Sequence, residues 1–146
     1  MRVRVALLLM LLVVGLGLLL TRCPANRDGM PGQLSQAMEE TTAAARSGAL
    51  ALDLWTQQRS TAQLTSVSLS DARQEVVKAY EGIADLKADD PVDVDRQHML
   101  TQSMTAIIGQ LNAASATVRE VTTEPSVEGA RADLMASADA LERGYR

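Results

Sequence analysis

Hydrophobic residues fall along this chain in two rhythms. Val5 to Leu20 is unbroken apolar sequence, with nine leucines and three valines and no polar side chain. From about residue 33 onward, apolar residues recur every three or four positions, the period of a helix with one buried stripe. Leu100, Met104, Ile107, Leu111, Ala114, Val118 and Val121 step by four and three in strict alternation, a seven-residue repeat. Ala62, Thr65, Leu69, Ala72, Val76, Ala79, Ile83 and Leu86 keep the same repeat. Asp89-Asp90-Pro91 separates the two stretches. Proline cannot continue a helix but suits the first position of the next, which makes Asp90 the N-cap. The pattern predicts an antiparallel hairpin of two helices joined along these seams.

The flanking segments are helical with weaker punctuation. Leu34, Met38, Ala45, Leu52 and Trp55 outline a helix from about 33 to 58. Ser60-Thr61-Ala62-Gln63 has the form of a capping box with Ser60 as N-cap, and Ser68-Leu69-Ser70-Asp71 is a competing start. Without a Gly or Pro between Ala49 and Asp71, one continuous helix also fits. Glu124-Pro125-Ser126 breaks the chain before Val127, Ala130, Leu134, Ala138, Leu141 and Tyr145, and Gly144 stands where a C-cap belongs. The expected fold is all-α: a small antiparallel bundle of three to four helices over 33–146, following an N-terminal hydrophobic leader or anchor helix. Residues 26–32, with Asp28-Gly29 and Pro31-Gly32, read as a juxtamembrane linker.

The leader occupies 1–25, and its flanks allow three readings. Arginines before an apolar core and small residues after it are the layout of an export signal. Cleavage after Ala25 would release Asn26. As a retained anchor, the sixteen-residue run rises about 24 Å, so residues 1–22 with snorkelling arginines would have to cross the membrane, amino terminus inside. Lipidation at Cys23 is the third, with Arg22 a poor neighbour for it. Pooling anchor and lipid favours tethering.

Composition then narrows the partners. Residues 26–146 carry eleven Lys/Arg against eighteen Asp/Glu, a net −7, which disfavours nucleic acid and anionic lipid surfaces. Cys23 is the sole cysteine, so no intramolecular disulfide forms. Twenty-two alanines and three aromatic residues (one Trp, two Tyr) favour helix and leave a thin core, for which burial against a second copy is one remedy. Twelve arginines to two lysines fit a GC-rich bacterial genome.

Few residues have the spacing of a chemical site. Asp85, Asp89, Asp90, Asp93 and Asp95 crowd one hairpin tip, but without the glycine bend and closing glutamate of a calcium loop. Capping and helix-start charge account for most of them. Asp95-x-x-His98 lacks the second carboxylate–histidine pair of a di-iron bundle, and the seam register runs through Gln97 and Leu100, leaving His98 outside. Trp55 and Tyr80 suit either seam packing or a ligand groove. Glu75/Lys78, Glu128/Arg131 and Asp139/Arg143 stand at ion-pair spacing on solvated faces. No cofactor, metal set or catalytic constellation is expected, and no enzyme. The expectation is an exported or membrane-tethered bundle of the bacterial cell envelope, at the outer face of the cytoplasmic membrane or secreted. It would serve as a structural or accessory subunit for an envelope protein partner. The alternatives are a ligand-sensing ectodomain that signals through a partner and a secreted binder of a small apolar ligand.

Overall fold

In the computed structural model, residues 29–146 are described; the leader, Cys23 and the Ala25–Asn26 cleavage position lie outside them. The described residues form four helices and no strand: α1 (Met30–Thr56), α2 (Ala62–Ala84), α3 (Pro91–Val118) and α4 (Val127–Tyr145). Connections of five, six and eight residues make successive helices antiparallel neighbours. Each helix packs on the next, α4 closes against α1, and α1 also meets α3 across the diagonal. Among the described helices none is long and apolar enough to cross a membrane.

The diagonal contact follows from which side chains are small. α1 buries Ala37, Thr41, Ala44, Ala45, Gly48 and Ala49, whereas α3 buries Leu100, Met104, Ile107 and Leu111. At Gly48 the fit is closest. A Cβ there would lie 2.6 Å from Leu111 Cδ2, 3.5 Å from Leu134 Cδ1 and 3.6 Å from Leu69 Cδ2. One leucine from each other helix thus converges on a single missing side chain. Thr41 and Thr42, also buried, return their hydroxyls to the Ala37 and Met38 carbonyls, so their burial leaves no orphan group.

Ala72, Val76, Ala79, Ile83, Leu100, Met104, Ile107, Leu111, Ala114 and Val118 are buried in one cluster. Three positions of the expected seam depart from it, the first being Ala62, which is exposed at the start of α2. Leu86 lies past the end of α2, in the turn, where it still packs partly on the core. Val121 is 70% exposed, because α3 ends at Val118. That end is a Schellman turn: Glu120 is left-handed (φ 58), with Val121 N–H donating to the Ala116 carbonyl and Glu120 N–H to Thr117. α1 ends in the same way. Gln58 (φ 57) is left-handed, Arg59 N–H donates to Leu54 and Gln58 N–H to Trp55, which separates α1 from α2.

The caps refine the expected boundaries. Asp90 caps α3 by accepting from Val92 N–H at 2.8 Å, with Pro91 as the first helical residue. Thr61, not Ser60, caps α2, accepting from Leu64 N–H; Ser60 instead bonds the buried Thr65 hydroxyl. The Ser68–Asp71 box is helix interior. α1 begins at Met30, so Pro31 and Gly32 belong to it and not to a linker, proline being at home in a first turn. Gly144 does not stop α4, which continues to Tyr145. Gln97, on the seam as expected, donates from Nε2 to the Ile83 and Leu86 carbonyls (2.6 and 2.9 Å), satisfying the frayed end of α2.

Two predictions test these constraints. Gly48→Val should lower the unfolding free energy by about 2 kcal/mol, overpacking outweighing the better helix propensity. Leu111→Ala alone should cost about 3 kcal/mol, and the double variant about 1 kcal/mol less than the sum, read from urea unfolding; simple additivity would refute the contact. Gln58→Gly and Glu120→Gly should each raise stability by about 0.5–1 kcal/mol, because a left-handed L-residue costs more than the added chain entropy of glycine. A loss at either site would argue against the left-handed turn there.

Candidate functional site: the groove between α1 and α2

A concave surface runs between the outer faces of α1 and α2. Its floor is alanine, Ala37, Ala44, Ala72 and Ala79, and its rim carries Glu40, Asp71 and Glu75. It comprises two adjoining depressions of about 210 and 440 Å³ that share Glu40. Small side chains make the groove because they let solvent approach the helix backbones. The floor alanines are nevertheless core residues, each less than a tenth exposed.

Helical spacing extends this groove toward the α1–α2 loop. Leu50 follows Ser47 by three positions, and Leu64 precedes Ser68 by four, Ser47 and Ser68 both lining the groove. Leu50 and Leu64 are 58% and 59% exposed, and Val67 beside them is 55% exposed. Helical spacing thus sets three large apolar side chains, all in water, near the loop end of this groove, an exposure that folding alone does not require. The groove is therefore apolar at its loop end and acidic along its middle. Lys78 is the cation on its rim, and Glu75 Oε1 at 2.9 Å holds its ammonium above its usual range.

The opposite side of α1 is latched to α4. Arg46 donates to both carboxylate oxygens of Glu142 (2.8 and 3.0 Å) and to Asp139 (3.0 Å). The Glu142 bonds first and the Asp139 bond second hold this guanidinium above its ordinary pKa. Arg131 reaches Asp53 at 3.9 Å. The spacing along α4 pointed to Glu128/Arg131 and Asp139/Arg143 pairs, but α4 lies against α1 and its charges bridge between helices instead. Glu75/Lys78 does pair within its helix. At the other end of α4, the Tyr145 hydroxyl donates to the Pro31 carbonyl at 3.3 Å, while the Arg96 guanidinium lies 5.4 Å from the Tyr145 ring centre.

The remaining candidates are dispersed. Of the five aspartates, Asp93 is buried against Arg96 (3.6 Å) while Asp85, Asp89, Asp90 and Asp95 face solvent. Among the described residues no three His, Cys, Asp or Glu side chains are placed to hold a metal. His98 is exposed, as its off-seam register implies, and its Nδ1 lies 3.3 Å from Gln102 Nε2. Trp55 and Tyr80 both pack on the edge of the core, at opposite ends of the bundle, so they do not build one pocket. The groove itself escaped the sequence reading. Its signal was there in Leu50, Leu64 and Val67, apolar residues off the seam, but only tertiary placement shows that they share a face.

The chain matches no family model, no curated protein and no solved structure.

The α1–α4 latch is half-exposed and so worth little in stability. Arg46→Met should cost no more than about 1 kcal/mol, with most of that loss disappearing in high salt. A cost of several kcal/mol, insensitive to salt, would show the latch to be an internal support.

Proposed function

We propose that this chain is an exported, membrane-tethered helical bundle of a bacterial cell envelope. It acts as an accessory subunit by seating an amphipathic helix of a partner protein in the α1–α2 groove. The observation that carries this reading is the alanine-floored groove running into exposed Leu50, Leu64 and Val67. Backbones approach closely over alanine, as a helix lying in a groove needs, and the exposed leucines supply the apolar area to be covered. The rim of Glu40, Asp71 and Glu75 selects a helix whose flanking residues are basic.

Tethering rests on the apolar run of Val5 to Leu20 between arginines. The chain enters the bundle at Met30, and Leu50 lies twenty residues along α1, about 30 Å away. A groove whose apolar end sits that far from the entry point addresses a protein, not the lipid beneath it. The acidic rim is also a poor match for anionic headgroups.

A photo-crosslinking residue at Ser47 of the full chain in its own membranes tests this reading. The expected product is a one-to-one adduct with a second protein, the crosslinked peptide being a basic amphipathic helix. Leu50→Glu with Leu64→Glu should abolish it, and the probe at the exposed Asp133 of α4 should not form it. A self-adduct, or the same yield from both positions, would overturn the proposal.

A further inference from the structure

A second concavity, between α2 and α3, differs in chemistry from the groove above. From α2 it is lined by Ser66, Ser70 and Arg73, and from the antiparallel α3 by Arg119, Ser115 and Asn112. The spacings, 66–70–73 and 112–115–119, place each trio on one helical stripe. Running in opposite directions, the two stripes put an arginine at either end of the cleft with hydroxyl groups between. Buried Leu69 and Leu111 form the floor, and the volume is about 250 Å³.

Two features mark this cleft as more than solvated surface. First, Arg46, Arg96 and Arg131 all find carboxylates within 4 Å. Arg73 and Arg119 have none among the described residues, nor have Arg59, Arg143 and Arg146, but Arg73 and Arg119 line one cleft. No Asp or Glu stands three or four positions from either one. Second, the Ser66 hydroxyl at the cleft wall is shielded from solvent and has no hydrogen-bond partner, and a turn about its χ1 brings it to an acceptor in the cleft. A buried donor without an acceptor costs free energy that a bound acceptor would recover.

We infer that the α2–α3 cleft binds a small molecule through an oxyanion group, carboxylate or phosphate. Arg73 and Arg119 grip it from the two ends, and the Ser66, Ser70 and Ser115 hydroxyls donate between them. Guanidinium groups suit this task because their forked donors match the planar edge of an oxyanion. The site lies on the other side of α2 from the docking groove and does not rest on that reading.

Calorimetric titration of the full chain in phosphatidylcholine nanodiscs, at low ionic strength, tests the assignment with inorganic phosphate and succinate as separate probes. At least one should bind saturably, and the tighter of the two identifies the anion class. Arg73→Gln and Arg119→Gln should each weaken it about tenfold or more, the loss of one charge-assisted contact. Arg59→Gln, in the α1–α2 loop outside the cleft, should leave it unchanged, with helicity by circular dichroism equal in all variants. No saturable binding of either probe, or an equal loss in Arg59→Gln, would overturn the inference. So would affinity undiminished in both cleft variants.

Discussion

The structure depends on a steric vacancy at Gly48. Four helices arranged in a square leave a channel along the axis unless large side chains fill it, and this chain has few large side chains to spend there. Drawing α1 toward α3 closes the channel, which requires that α1 carry small residues along the middle of its inner face, between the buried Leu34 and Leu52. Gly48, flanked a turn away by Ala44, Ala45 and Ala51, meets that requirement, and Leu69, Leu111 and Leu134 fill the space from the other three helices. The middle of the core works by asymmetry, with small residues on α1 between the buried Leu34 and Leu52, and leucine, isoleucine and methionine on α3. The diagonal contact lets α1 and α3 each touch all the other helices.

The same economy shapes the surface. Because α1 spends alanine on its flank as well as its inner face, its boundary with α2 is a groove and not a ridge. Side chains long enough to cover that boundary would have to come from the rim, where Gln33, Gln36, Glu40, Glu75 and Lys78 are polar and stay in water. On the opposite flank, Arg46 and Arg131 span from α1 and α4 to carboxylates of the facing helix, above a packed apolar boundary. The groove is thus the unlatched side of the same helix. A surface of this kind arises from the packing solution, and its exposed leucines are what turn it from a by-product into a candidate for docking.

Much of this architecture was legible in the residue pattern, and the exceptions have two causes. Heptad steps through 62–86 and 100–118 located the hairpin, and Asp90-Pro91 located its turn, because burial period and proline chemistry are local properties. Two helix ends are Schellman turns whose left-handed residue is Gln58 or Glu120. Glycine is the usual sign of such a turn, and neither site carries one, so Val121 read as another seam position and the break between α1 and α2 stayed open. Gly48 and the reach of Arg46 to α4 are invisible for a different reason: they are relations between helices distant in sequence.

α2 stands between the two surfaces with chemistry of interest. One flank carries Ser68, Asp71 and Glu75 into the groove with α1, and the other carries Ser66, Ser70 and Arg73 into the cleft with α3. Leu69 and Ala72 lie between these stripes in the core, and Leu69 touches the Gly48 position itself. A rotation of α2 about its axis would open one flank as it closed the other, with the crowded layer at Gly48 resisting it. Close-packed interfaces of this kind shift between discrete arrangements and do not deform continuously. Occupation of the arginine cleft and occupation of the acidic groove therefore bear on the same helix. A free-energy coupling between them needs no other element of the bundle to move.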